Sequence, residues 1–339
     1  MGQNIFKLLE IETNENIHST FIASIINSNE FAKEAFIQMI KDVCKKDLDI
    51  PNLKAQTEVS LSTNETGRVD IYLTDYDGNE KKENTRIIIE NKIYAGDQNA
   101  QLYRYHTHLT NYEHKALFYL TLEGKKPSNY STFNFDSKVH LKEKEDYYLI
   151  SYNENIKKWL NDILISTEIA KDLKIYIIDY LQIINELTKM WRDLENFYNS
   201  NEDVNSLEQK SYLELKFWEF IEQRIIEYVG SSNLAISNKR YYSYNKILKC
   251  QNNKSQRNYG IIFEFKNNIN IRIAVKANEC GSFQLFISKG SMDIKKNEWN
   301  NEGQKDLNYY TNKLKNKDDM KAIGKEVISE IYKILFNLT

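Results

Sequence analysis

RVDIYLTDYDGNEKKENTRIIIENK, residues Arg68 to Lys92, is two strand-like runs on either side of a polar stretch with an Asp-Gly turn signal. The second run, Ile87-Ile88-Ile89, is apolar on both faces, as in a central strand covered on both sides, yet it ends in Glu90-Asn91-Lys92. Residues two apart on a strand share a face, so Glu90 and Lys92 point together and Asn91 points away. The Asn91 side chain is therefore the one expected to matter least. By itself the tripeptide reads equally as a strand end in solvent with a structural ion pair. Asp70 in the first run alters that balance, because pairing through the turn sets Asp70 beside Glu90.

Paired carboxylates offer oxygen ligands suited to Mg²⁺ or Mn²⁺, which retain waters and accept phosphate oxygens. Lys92 adds a point charge for a developing oxyanion or an ammonium that orients water. Without a cation the two acids would repel each other, so the lysine or a bound metal is expected to compensate.

Outward from this stretch, residues 4–47 read as helical, with a short first helix and one long helix from about Ile17 to Lys46. Strands are expected at 54–61, 68–73, 86–92, 114–122 and 147–152, and helices at 97–111, 154–165 and 168–198. The last carries Ile175, Ile178, Leu181, Ile184, Leu187 and Trp191 on one stripe. The polar segment 198–206 reads as a linker, giving domains at 1–198 and 207–339. The second is expected to hold a helix at 207–229, strands at 241–248, 259–267, 269–277 and 282–290 with a tight Asn267-Asn268 turn, and helices at 303–316 and 318–337. The fold class is α/β with a mixed sheet flanked by helices, followed by an α+β module with a small antiparallel sheet.

Asp70, Glu90-Asn91-Lys92 and Gln101-Leu102-Tyr103-Arg104-Tyr105, in that order, resemble the PD-(D/E)XK nuclease superfamily. Its signature is an acid on one strand, (Asp/Glu)-x-Lys on the next and often Gln-x-x-x-Tyr on the following helix. The restriction-endonuclease-like αβββαβ core order matches the elements over about residues 10–160. The chain is especially similar to a bacterial branch with Glu-x-x-His-Ser near the N-terminus, here Glu15 to Ser19, and IENKI-x-A-x-x-Q-x-x-QL-x-x-Y at the centre, here Ile89 to Tyr105. The resemblance implies that Asp70 and Glu90 are metal ligands with the Asn91 carbonyl as a third, that Lys92 is the catalytic lysine, and that Glu15 is an additional acid for metal or water. Gln101 and Tyr105, four apart on one helix face, would hold the scissile-phosphate region, with Gln98 and Arg68 as further substrate contacts. Val69 stands where the name-giving proline would be, but that residue is not a ligand. Glu15 and His18 also fit a plain helix start after Asn14, with His18 packed or hydrogen-bonded to a carboxylate. Gln98 and Gln101 also fit solvated helix positions.

The 339 residues, 41% apolar and 28% charged, can bury a sizeable core, and the net charge of -2 leaves nucleic-acid binding to local patches. Lys239, Arg240, Tyr241, Tyr242, Lys246, Lys249, Lys254 and Arg257 form one such candidate, or an ordinary solvated surface. Cys44, Cys250 and Cys280 lie too far apart for a metal motif and read as free thiols in a reducing cytoplasm. No apolar run approaches the roughly 20 residues of a membrane span. The expected activity is a Mg²⁺- or Mn²⁺-dependent nuclease on DNA, with RNA open, and with bacterial defence implied by the resemblance. A homodimer or a protein partner of the second module would fit. The alternatives are a non-catalytic nucleic-acid- or protein-binding module on the same fold, and a hydrolase of nucleotides or another phosphate ester.

Overall fold

The computed structural model describes residues 4–46, 48, 53–61, 67–75, 85–98, 100–134, 138–230, 235–240, 242, 244–252, 259–266, 270–277, 282–290, 300–310 and 313–338. The chain divides into two compact units, Met1–Asn134 with Val139–Trp191, and Phe135–Lys138 with Arg192–Thr339.

The first unit contains α1 (Ile5–Leu8), α2 (Glu15–Ser28), α3 (Glu30–Cys44), β1 (Leu53–Ser60), β2 (Arg68–Asp75), β3 (Thr85–Lys92), α4 (Gln101–Leu109) and β4 (His114–Thr121). After these come α5 (Asn129–Thr132), β5 (Phe133–Asn134), β6 (Val139–His140), β7 (Tyr148–Ser151), a π-helical turn (Tyr152–Ile156), α6 (Lys157–Ile165) and α7 (Lys171–Ser200), which runs past the unit boundary. The long helix expected from Ile17 to Lys46 is two helices. Asn29 between them is extended (φ -151°), and its side chain accepts from the Ala32 N–H at 3.0 Å, capping α3.

The main sheet has the order β1-β2-β3-β4-β7. β1, β2 and β3 are antiparallel neighbours, while β4 runs parallel to β3 and β7 parallel to β4. The αβββαβ order expected from the sequence is present. Ile71 faces Ile89 and Leu73 faces Ile87 across the hairpin, whose tip at 76–84 lies outside the described residues. Every residue of β3 is buried, as its apolar run requires of a strand covered on both faces. One face carries α4, whose Leu102, Tyr105 and Leu109 pack on Tyr72, Ile88, Leu117 and Tyr119. The opposite face receives α2, with Ile22, Ile25 and Ile26 buried, and α3 is tied to α6 by the Trp159 indole donating to the Ala32 carbonyl at 2.9 Å. On α7 the expected stripe divides. Leu181, Ile184, Leu187 and Trp191 are buried, but Ile175 and Ile178 are 58% and 55% exposed, because the face turned inward there is that of Ile177 and Tyr180, both 0% exposed.

The second unit contains α8 (Leu207–Gly230), β8 (Ala235–Arg240), α9 (Tyr244–Asn252), β9 (Tyr259–Lys266), β10 (Asn270–Ala277), β11 (Ser282–Gly290), β12 (Asn300–Tyr310) and α10 (Lys317–Leu338). Its strands form an antiparallel sheet in the order β12-β11-β10-β9-β8. Two expectations fail here. Residues 244–248, read as strand, belong to α9, where buried Tyr244, Ile247 and Cys250 recur at a helical period of three. The helix expected at 303–316 is largely β12. Gly303 and a scarcity of apolar residues leave little helical preference there, and pairing with β11 prevails. The Asn267-Asn268 turn, Cys280, Tyr241, Lys254 and Arg257 lie outside the described residues. Tyr242 is buried, stacks on Trp218 and donates to Glu222 at 2.9 Å, so it serves the core and is not a platform for bases. Cys44 and Cys250 are buried free thiols. Among the described residues no helix is long and apolar enough to cross a membrane.

α8 and α10 approach closely at Gly324, where an added Cβ would stand 2.7 Å from Phe220 Cδ1. Gly324→Ala gains about 1 kcal/mol of helix propensity, but overpacking costs about 1–3 kcal/mol. A net loss of about 1 kcal/mol is expected, read as a lower urea midpoint. A higher midpoint contradicts this packing.

Candidate active site

β2 and β3 carry the two acids on the α4 face of the sheet. Asp70 Oδ2 accepts from the Asn91 backbone N–H at 2.7 Å, which fixes one acid against the strand of the other. Glu90 is 1% exposed and Lys92 8% exposed. The Lys92 ammonium is ion-paired with Glu90 Oε1, and among the described residues no hydrogen-bond donor in proper geometry satisfies either Glu90 oxygen. Burial pushes the Glu90 carboxyl up to about 8; Lys92 opposes this and the nearby Asp70 adds to it. Burial also raises Asp70, against the pull of Lys92. For Lys92, burial works against the charge, but Glu90, Asp70 and Glu15 outweigh it and hold the ammonium protonated. These directions describe one arrangement. Two carboxylates and one ammonium would leave a buried net negative charge, so near neutrality a proton stays on the acid pair.

On the opposite face the Asn91 side chain is fully buried in a polar network. Its Nδ2 donates to the Ser19 hydroxyl at 3.0 Å and to the Glu15 carbonyl at 3.2 Å, and its Oδ1 accepts from the Tyr152 hydroxyl at 3.0 Å. The expectation that this side chain matters least is corrected: it joins the end of β3 to α2 and to the turn after β7. Glu15 itself is committed to the backbone, since its Oε1 accepts from the N–H groups of Ile93, Tyr94 and Ala95 at 2.7, 2.7 and 2.8 Å. The first residue of α2 therefore clamps the chain as it leaves β3.

His18 is buried between Tyr180, whose hydroxyl lies 2.9 Å from Nδ1, and the Glu12 carbonyl, 2.9 Å from Nε2. Its partners are a hydroxyl and a carbonyl, not a carboxylate. Burial lowers its pKa to about 4, partly offset by the Glu12 carbonyl and by Glu15. Below the ordinary histidine value the unfolded chain takes up a proton that the folded one refuses. Stability is therefore expected to fall as pH drops from about 6.5 towards 4, by roughly 3 kcal/mol in total. Urea denaturation across this range in wild type and His18→Gln tests it; an equally steep loss in the variant assigns the acid sensitivity elsewhere.

On α4, Gln101 and Tyr105 are buried and linked, Gln101 Nε2 donating to the Tyr105 hydroxyl at 3.3 Å. That hydroxyl donates to the Arg68 carbonyl at 2.7 Å, so Tyr105 holds the beginning of β2, two residues before Asp70. Burial first and Glu90 second keep the phenol protonated, which places the ring close to the acids. The Arg68 side chain turns outward to Glu58, 3.1 Å away, and Gln98 is exposed, its N–H donating to Gln101 Oε1 at 3.3 Å. Thus Asp70, Glu90, Lys92, Gln101 and Tyr105 converge, while the Arg68 and Gln98 side chains stand at the margin. Sequence reading overlooked Asp97. It is buried, accepts from the Tyr119 hydroxyl at 2.7 Å and from the Ser128 N–H at 2.6 Å, and raises the Glu90 pKa. Its position inside IENKI-x-A-x-x-Q was the available signal.

Among the described residues no group of three or more His, Cys, Asp or Glu side chains forms a metal cage. Two carboxylates with unsatisfied, buried Glu90 oxygens nonetheless fit a hard divalent cation that draws its remaining ligands from water, a carbonyl or substrate. A profile of the PD-(D/E)XK nuclease superfamily matches residues 3–182, and the chain belongs to that superfamily. Its nucleases typically use divalent metals. No curated protein and no solved structure matches the chain.

Proposed function

We propose that the chain is a Mg²⁺- or Mn²⁺-dependent nuclease that hydrolyses phosphodiester bonds in DNA. The observation that carries the reading is the buried Glu90 carboxylate, ion-paired with Lys92, set beside Asp70 and otherwise unsatisfied. A divalent ion held by Asp70, Glu90 and the Asn91 carbonyl would supply Lewis acidity and charge neutralisation at the scissile phosphate. The protein's own groups do the rest. Lys92 places an ammonium where oxyanion charge develops and orients the attacking water. Gln101 and Tyr105 fix the β2 acid relative to the β3 acid. Glu15 and Asn91 hold the end of β3 so that Glu90 and Lys92 keep one aim. Catalysis belongs to the first unit in this proposal, and the second serves nucleic-acid binding, sensing or dimerisation. Cutting both strands calls for two sites, so a homodimer is part of the reading, and a role in bacterial defence rests on the family resemblance alone.

Plasmid DNA, RNA and free nucleotides should be incubated with the full chain, with and without Mg²⁺ or Mn²⁺. Metal-dependent cleavage of DNA, strongest among the three, is expected. Turnover of free nucleotides alone moves the chain to the phosphate-ester hydrolases, and divalent metal without any measurable binding moves it to the non-catalytic modules.

A further inference from the structure

We propose that Asp97 is a positioning residue of the site: it pins the start of α4, and through Gln101 and Tyr105 it sets where Asp70 stands against Glu90. The inference rests on the reading of Asp70 and Glu90 as metal ligands. Residues 93–100 join β3 to α4. Glu15 holds one end of this segment through the N–H groups of Ile93, Tyr94 and Ala95. Asp97 holds the other end. Its Oδ1 accepts from the Tyr119 hydroxyl at 2.7 Å, and its Oδ2 accepts from the Ser128 N–H at 2.6 Å. Two more bonds extend the same seam: the Ala100 N–H donates to the Tyr130 carbonyl at 2.8 Å, and the Leu102 N–H to the Ser131 hydroxyl at 3.3 Å. Ala100 lies in the left-handed region, with φ 47°, and caps α4 without a side-chain hydrogen bond. A residue with a Cβ keeps that conformation only where its surroundings over-determine it. The seam around Asp97, and not a local cap, therefore fixes where α4 begins.

The seam reaches both acids. Tyr119 of β4 is the register partner of Glu90 of β3, and its ring packs in one cluster with Leu102 and Tyr105 of α4. Gln101 donates to the Tyr105 hydroxyl, which donates to the Arg68 carbonyl two residues before Asp70. Asp97 thus stands on a hydrogen-bonded and packed path from the β4 neighbour of Glu90 to the strand of Asp70. Among the described residues its partners are neutral, a hydroxyl and an N–H, and the residue is 6% exposed. A buried carboxylate met only by neutral donors is costlier to keep than a neutral acceptor. Holding a loop does not by itself call for one. Groups that hold metal ligands in place typically cost about 10–100-fold in metal affinity or activity when changed, which is the size of effect expected here.

The test is Mn²⁺ calorimetry on the full chain without DNA, joined to Mn²⁺-dependent cleavage kinetics, in wild type, Asp97→Asn and Tyr119→Phe. Asp97→Asn removes a charge that reaches Glu90 as well as one accepting oxygen. Tyr119→Phe keeps every charge and removes one bond. Each variant is expected to bind Mn²⁺ about tenfold more weakly or worse, and to cut more slowly at saturating DNA with KM for DNA unchanged. A role confined to folding lowers the melting temperature and leaves Mn²⁺ affinity alone well below it. If Asp97→Asn does not fold, Tyr119→Phe decides by itself. Wild-type Mn²⁺ affinity in either folded variant overturns the proposal; in Tyr119→Phe it assigns any effect of Asp97→Asn to charge and not to position. A wild-type chain that binds Mn²⁺ but cuts no DNA ends the nuclease reading, while the affinities still decide the role of Asp97. A wild-type chain that binds no Mn²⁺ overturns both.

Discussion

Lys92→Met is expected to lower DNA cleavage about 10³-fold, the upper end of what removing one positioned donor to a transition-state oxyanion costs, while the protein stays folded. Methionine keeps most of the buried stem and deletes the ammonium. Breaking a buried ion pair ordinarily costs about 3–5 kcal/mol because a charge is stranded. Here the stranded group is Glu90, whose carboxyl burial already pushes up against the pull of Lys92, so with the ammonium gone it takes up a proton and most of that penalty is avoided. Single-turnover cleavage alongside thermal unfolding separates the two effects. A Lys92→Met protein that cuts as fast as wild type removes the lysine from the chemistry.

Asn91→Ala is expected to harm both stability and rate. The change removes two donated bonds and one accepted bond in a region with no exposure, and leaves the Ser19 and Tyr152 hydroxyls to find other partners. A buried polar group left unsatisfied costs about 1–3 kcal/mol, so a total near 4 kcal/mol is expected, a large share of the about 5–15 kcal/mol that holds a typical domain together. The end of β3 would also lose its tie to α2. A shift of about 1 Å at the acids is enough for a hundredfold loss. Thermal melting and single-turnover rates check this; wild-type values for both would restore the view that the Asn91 side chain is incidental.

The convergence of the candidate site residues was legible in the sequence because it obeys short-range rules. Strand alternation puts Glu90 and Lys92 together, the antiparallel pairing of β2 with β3 brings Asp70 beside them, and helical spacing joins Gln101 to Tyr105. The roles of Glu15, Asn91 and His18 were not legible, because each depends on contacts across many residues of chain: Glu15 with the turn at Ile93 to Ala95, Asn91 with Tyr152, His18 with Tyr180. Local pattern shows that a side chain points off the active face but not what waits there. The same limit explains β12, where pairing with β11 decided a segment with weak preferences of its own. Asn29 is a different miss. Its capping signal, Asn29 followed by Glu30, was present in the sequence, but the continuous apolar stripe on either side masked it.

A crystal of the full chain soaked in Mn²⁺, with anomalous diffraction recorded, tests the central claim most directly. The account predicts a manganese peak between the Asp70 and Glu90 carboxylates, with the Lys92 ammonium beside it and Glu15 still bound to the backbone of residues 93–95. Manganese at other carboxylates only, or none at concentrations that support cleavage, contradicts it.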